Sequence, residues 1–160
     1  MPLPRWLDEA EQRAWRAYLR ARRLLDEALE RDLQRYGVSL SEYEIISLLS
    51  EVPQRHLRMS TLADRVVQSR SRLTHTATRL EGRGWVQRRR ATCDRRGVEL
   101  CLTEDGWAAV QGLAPVHVDS VRRHLIDHLT AEQFTNVGEA MVAVGDGILS
   151  QRTARASVVA

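Results

Sequence analysis

The chain has 160 residues and no lysine; all 24 of its basic residues are arginine. Codon bias in a GC-rich genome accounts for such an absence, and the chemical consequence holds whatever the cause. Arginine offers a planar fork of five donors suited to phosphate oxygens and guanine edges, which the point charge of lysine does not reproduce. Cysteine is scarce as well. Cys93 and Cys101 are too few for a disulfide scaffold. No apolar run approaches the roughly 20 residues that cross a bilayer. The opening Met1-Pro2-Leu3-Pro4-Arg5-Trp6 leads straight into charged residues. No signal peptide is therefore expected, and the expected location is the cytoplasm. Catalytic motifs are missing too: there is no Gly-rich phosphate loop, no G-x-S-x-G and no H-E-x-x-H, so no enzyme and no cofactor are expected. Internal repeats and low-complexity linkers are also absent.

What is present is a globular composition, 43% hydrophobic and 28% charged, with its charge concentrated in one place. Between Arg55 and Arg96 lie twelve arginines and only three acids, Asp64, Glu81 and Asp94, a formal +9 in 42 residues. Residues 1–54 come to −2 and residues 97–160 to −4. A basic block between acidic arms is an electrostatic footprint, and phosphate is what it suits.

Periodicity predicts a mainly α chain with six helices and one β-hairpin. Residues 8–36 read as one long helix, with Trp15, Tyr18, Leu19, Leu25, Leu29, Leu33 and Tyr36 at spacings of three and four and Gly37 ending it. At about 1.5 Å per residue such a helix spans roughly 43 Å, long for a small domain. A second helix is predicted from Ser41, with Ser41 and Glu44 as a capping box and Pro53 as its stop. Ser60 is expected to cap a third over 61–67, and Ser69 a fourth over 70–82 with Leu73, Ala77 and Leu80 inward. The period then changes to two. Trp85–Ala91 and Val98–Leu102 read as the strands of a hairpin around a polar turn. Thr103 is expected to cap a fifth helix running to about 129, which Pro115 should kink or split. Thr130 and Gln133 form a capping box for a sixth, with Phe134, Val137, Met141, Val144 and Ile148 on one face.

The basic block thus reads as helix, break, helix, hairpin, which is a helix-turn-helix with a wing. The second helix would enter the major groove with its first turn leading. Ser69, Arg70, Ser71, Arg72, His75, Thr76 and Arg79 are its candidate contacts. The hairpin adds Arg88, Arg89, Arg90, Arg95 and Arg96. Arginines at a wing tip suit a narrow minor groove, and Asp94 would hold one of them or shape the turn.

The run Leu62-Ala63-Asp64-Arg65, Ser69-Arg70-Ser71, Arg79-Leu80-Glu81-Gly82-Arg83-Gly84-Trp85-Val86 and Asp94-Arg95-Arg96-Gly97 through Leu102-Thr103-Glu104-Asp105-Gly106 closely resembles the MarR family of bacterial winged-helix regulators. The D-x-R-G wing tip followed by L-T-x-x-G is its most specific part, and the resemblance extends over about 8–149. It implies a triangular homodimer whose first, fifth and sixth helices interlock, with two winged domains gripping pseudo-palindromic double-stranded DNA. Residues 1–40 and 103–150 would be dimerisation helices, 41–102 the DNA-binding domain and 151–160 a frayed tail. The resemblance implies a repressor eased off DNA by a small aromatic or phenolic effector. Trp15, Tyr18, Arg22 and Tyr43 are candidates for its pocket. Two departures from the pattern are Pro115 inside the fifth helix and Trp85 in place of a smaller aliphatic residue.

The residues ask for a dimer independently, because the first and last helices are too long to bury their apolar stripes within one small chain. A two-fold dimer would space its heads by about 34–36 Å, one turn of DNA. The residues leave room for three other readings. His117, His124 and His128 have helical spacing compatible with zinc, but no cysteine or second carboxylate pair accompanies them, so a helix surface or dimer seam is expected and no metal. Cys93, beside arginines at the wing tip, could make a redox switch. Peroxide-sensing relatives, however, keep that cysteine near the N-terminus, where this chain has none. With the turn centred near Arg95, Cys101 would face residue 89, which argues against a Cys93–Cys101 disulfide. Finally, a winged helix could dock an acidic protein instead of DNA.

Overall fold

The computed structural model of the chain describes residues 4–91 and 97–159; side chains of residues 153 and 155–159 are not described. The chain divides into two compact units, residues 1–120 and 121–160.

The first unit opens with α1 (Glu9–Gln34). Asp8 caps it, accepting the Glu11 N–H at 2.8 Å while the Glu11 carboxylate accepts the Asp8 N–H at 2.9 Å. Gly37 follows at φ +70°, the left-handed conformation that glycine adopts without a Cβ penalty. Of the predicted apolar stripe only Leu33 is fully buried; Trp15, Tyr18 and Tyr36 are exposed by 50%, 43% and 59%.

Helix α2 (Leu40–Glu51) has its N-cap two residues before the expected one. Ser39, not Ser41, is its N-cap, and Glu42, not Glu44, is the box partner, accepting the Ser39 N–H at 2.9 Å. Ser39-x-x-Glu42 and Ser41-x-x-Glu44 both satisfy the capping pattern. Tertiary bonds to Glu42 and to Leu40, whose N–H donates to Glu30 of α1 at 2.6 Å, select the first. Helix α2 stops before Pro53 as expected, and a 3-10 turn (Pro53–Arg55) leads into β1 (His56–Arg58), a strand the sequence reading lacked. The chain therefore enters α3 (Met59–Arg65) directly from a strand, with Arg58 at the N-cap and no side-chain capping bond to the helix, so Ser60 is not the cap.

Val67 sits in the break at φ +51°, a left-handed β-branched residue, and Ser69 then caps α4 (Arg70–Gly82) as expected. The sheet has three antiparallel strands in the order β1–β3–β2, where β2 is Val86–Arg90 and β3 is Val98–Leu102. Its register places Cys101 opposite Gln87 on one side and His56 on the other, not opposite residue 89. Leu33, Ile46, Leu49, Leu62, Leu73, Leu80 and Leu100 form the centre of the core between the helices and this sheet.

Thr103 starts α5 (Glu104–His124) by accepting the Gly106 N–H at 3.0 Å. It also ties the helix to the strand base, donating its N–H to Trp85 O at 3.0 Å and its hydroxyl to Gly84 O at 2.6 Å. Pro115 does not split α5. Pro115 and Gln111, whose carbonyl loses its partner, are both exposed, so water can serve that oxygen. The helix ends at His124 rather than near 129, because Leu125 leaves helical geometry (φ −133°, ψ −64°) ahead of a 3-10 turn.

In the second unit, α6 (Ala131–Val159) opens on the predicted capping box, Thr130 N–H to Gln133 at 2.9 Å and Gln133 N–H to Thr130 Oγ1 at 3.2 Å. It continues helically to Val159, through the segment read as a frayed tail. Phe134, Val137, Met141, Val144 and Ile148 are all exposed. Among the described residues no helix is long and apolar enough to cross a membrane.

Candidate nucleic-acid interface

Helix α4 presents one face to the core and one to solvent. Leu73, Ala77 and Leu80 are buried, as their spacing predicts. Ser69, Arg70, Ser71, Arg72 and His75 are exposed around its first turns. Thr76, expected on that outer side, is instead 2% exposed, and its hydroxyl donates to Arg72 O at 3.1 Å. Thr76 lies three residues after Leu73 and one before Ala77, so it falls within the widened core face and is no surface contact.

Two expected contacts are fastened within the protein. Arg79 remains half-exposed, but its Nε donates to Glu42 Oε1 at 3.0 Å. Arg88 is ion-paired with Glu81, and its guanidinium also donates to Thr74 O at 2.9 Å and Thr78 Oγ1 at 3.1 Å. Glu81 also accepts the Arg88 backbone N–H at 2.8 Å, so Arg88 staples β2 to α4. Arg89 and Arg90 are exposed on β2. Asp94, Arg95, Arg96 and Cys93 lie outside the described residues.

Glu42, which the sequence did not single out, is buried beneath Arg79 and Arg83. Burial pushes its carboxyl upward. The Ser39 N–H, Arg79, the Ser39 hydroxyl and Arg83 together outweigh that and hold it below the usual carboxylate range. The signal was the alternative box Ser39-x-x-Glu42, which sequence alone does not rank above Ser41-x-x-Glu44.

Between α4 and the hairpin lies an open cavity of about 490 Å³, lined by Arg58, Met59, Ser60, Arg70, Leu73, Thr74, Arg88, Gly97 and Val98. Three arginines, from β1, α4 and β2, line it, and among the described residues its lining includes no acid. Arg58 escaped the sequence reading because β1, only three residues long, carries too little periodicity to register.

The four candidate effector residues do not share one pocket. Trp15 and Tyr18 stack on each other at 5.8 Å and line none of the three main cavities. Tyr43 lines one of about 550 Å³ with His117, Asp26, Glu44, Glu51 and Arg65. Arg22 lines a neighbouring one of about 600 Å³ that reaches Arg72 and Arg79 of α4. The His117 ring packs on Tyr43 at 4.5 Å, its Nδ1 is buried without a partner, and burial holds its pKa below the usual histidine value. Burial likewise pushes the Cys101 thiol up, which makes it a poor nucleophile. Among the described residues no group of three or more His, Cys, Asp or Glu could hold a metal ion.

Comparison with known proteins places these features. The MarR family model matches residues 38–98, from the end of α1 to the start of β3. AbsC, a MarR family transcriptional regulator from Streptomyces coelicolor, superposes with a TM-score of 0.86 at 43% identity, over 92% of this chain and 99% of that one. Sco3205, a MarR family regulator of the same organism whose crystal structure is in complex with DNA, gives a TM-score of 0.87 at 43% identity over 91% of each chain. The regulator PecS of Dickeya dadantii is 26% identical over 130 residues, 81% of this chain and 78% of PecS. Identity at that level, sustained from α1 into α6 and joined to the same winged-helix architecture, means that this chain belongs to the MarR family of transcriptional regulators.

Proposed function

We propose that this chain is a sequence-specific DNA-binding repressor that grips pseudo-palindromic operator DNA as a homodimer. The observation that carries the reading is the exposed first half of α4, where Arg70, Arg72 and His75 stand clear of the core. Arg70 and Arg72 reach base edges or phosphates in the major groove, and the Ser69 and Ser71 hydroxyls donate to phosphate. Arg90 on β2, and Asp94, Arg95 and Arg96 from the sequence between the two strands, would follow the adjacent minor groove.

Residues 1–40 and 103–150 serve as dimerisation helices around the DNA-binding domain at 41–102. The exposed apolar side chains on α1 and α6, from Trp15 to Ile148, support this assignment, since a second copy would cover them. The cavity holding Tyr43 and His117 is the better candidate for a small aromatic or phenolic effector, because Trp15 and Tyr18 stand apart from it.

A mobility-shift titration tests the reading, with the duplex upstream of the protein's own gene set against a random duplex of equal length. The expected result is preferential retention of the upstream duplex, weakening steeply with salt as counterions are released. Equal retention of both duplexes, or a monomer in sedimentation at micromolar concentration, refutes it.

A further inference from the structure

We propose that Glu42 is a positioning residue for DNA reading, fixing the rotation of α4 about its own axis by strapping Arg79 and Arg83 to the junction of α1 and α2. Its two oxygens are divided between two helices. Oε2 accepts the Ser39 N–H at 2.9 Å and the Ser39 hydroxyl at 3.0 Å, which closes the cap of α2. Oε1 accepts Arg79 Nε at 3.0 Å, with Arg83 Nε at 3.9 Å. Arg83 then reaches past Glu42 to donate to Gly37 O at 2.5 Å, at the end of α1. The carboxylate is 3% exposed and comes from a residue 37 positions before Arg79.

The physical reason concerns direction. Leu73, Ala77 and Leu80 hold α4 at its depth, but apolar packing is non-directional and tolerates a small roll. A charge-assisted bond to a buried oxygen is short and directional. Arg79 is two helical turns from Arg72, and both line the same cavity. The heading imposed on Arg79 is therefore imposed on Arg72 and, one turn away, on His75. A roll of α4 would misplace base contacts while leaving the attraction between the basic surface and phosphate almost intact.

The inference rests on the DNA-binding reading, and its test separates the two. The full-length protein is titrated against a duplex that it enriches from a random-sequence pool and against a shuffled duplex of the same length, over a range of salt. Glu42→Gln is expected to weaken the enriched duplex about tenfold and the shuffled one by less than about twofold, with the slope of log K against log salt unchanged. Arg79→Gln, which alters a half-exposed side chain and spares the α2 cap, should behave alike. The double variant should bind no worse than the weaker single variant, because both changes cut one strap. Equal weakening of both duplexes by Glu42→Gln would overturn the proposal, leaving Glu42 a merely structural residue. So would a slope reduced by about one per subunit in Arg79→Gln, the mark of a direct phosphate contact. Losses that multiply in the double variant would overturn it too. A wild-type protein that enriches no duplex would instead overturn the DNA-binding reading, and the strap's role with it.

Discussion

Gly106 is where the family signature L-T-x-x-G meets a measurable steric limit, and Gly106→Ala is the substitution that probes it. A Cβ built there lies 2.0 Å from the Trp85 carbonyl oxygen, 2.7 Å from Leu102 Cδ1 and 2.9 Å from Trp85 C. A carbon and an oxygen sit comfortably no nearer than about 3.3 Å, so α5 and the base of the wing must part by about 1.3 Å. The obstacle is backbone, which has no rotamer to yield. Overpacking of this kind costs about 1–3 kcal/mol. Parting the two elements also stretches the Thr103 N–H to Trp85 O bond, worth about 0.5–1.5 kcal/mol. Alanine returns up to about 1 kcal/mol of helix propensity. The net expectation is a loss of about 2–3 kcal/mol, or a fall in Tm of about 4–12 °C for a chain of this size. Gly112, in the same helix, is the internal control, since a Cβ there meets nothing within 4 Å. Gly112→Ala should raise stability by up to about 1 kcal/mol. Thermal melts followed by circular dichroism at one fixed protein concentration compare the two, because self-association would itself raise Tm. A Gly106→Ala protein melting at or above the wild type refutes the reasoning, as does a Gly112→Ala protein that falls equally far.

Two further outcomes follow from the site. Thr76→Val removes a hydroxyl whose bond, among the described residues, is to Arg72 O, an acceptor the helix already serves. DNA affinity in a mobility-shift titration should change less than about twofold, and a tenfold loss would return Thr76 to the contact surface. Stability should also fall on acidification. Glu42 has a folded pKa below its ordinary 4.5, so its contribution is present above that value and is lost as pH falls through the folded pKa. His117, depressed below 6.5 by burial against Tyr43 in a cavity that Asp26, Glu44, Glu51 and Arg65 also line, likewise loses its contribution as pH falls below 6.5. Glu44, raised first by burial and then by Asp26, acts in the opposite sense and blunts the effect. Urea unfolding from pH 7 to pH 4 should show a decline that is shallower in Glu42→Gln, and an identical profile in that variant would contradict the assignment.

What the sequence made legible was whatever is decided locally. Ser69, Thr103 and Thr130 were recognisable caps because each needs only the next three residues. Gly37 and Pro53 ended helices through their own backbone chemistry. The order helix, break, helix, hairpin followed from periodicity, and the fold class with it. The failures lay where a distant partner decides. Ser39 and Ser41 compete on equal local terms, and Arg79, 37 residues beyond Glu42, breaks the tie. The strand His56–Arg58 exists because Leu100 and its neighbours pair with it, and three residues carry no period of their own. Thr76 was misplaced because a helical face is as wide as the core opposite it, which the helix's own sequence does not state.

The same distinction changes what the arginine block means. Twelve arginines and three acids count as +9 only if every charge is available to a partner molecule. Among the described residues at least four of the twelve have protein partners that draw on their charge. Arg55 lies 4.2 Å over the Trp107 ring and 3.2 Å from Glu104. Arg79 and Arg83 converge on Glu42, and Arg88 is taken by Glu81. Glu42 and Glu104 lie outside the block, so a count confined to it omits them. Binding DNA with Arg79, Arg83 or Arg88 would first require breaking bonds that hold α4 and the hairpin in place, and the buried Glu42 left without its partners would be strongly penalised. The exposed Arg55–Glu104 pair costs little to break. Arg79, Arg83 and Arg88 therefore serve the framework. In the DNA-binding reading proposed above the contacts would fall to the exposed arginines at the start of α4 and to Arg89 and Arg90 of β2, so the block offers a smaller charged surface than its count of +9.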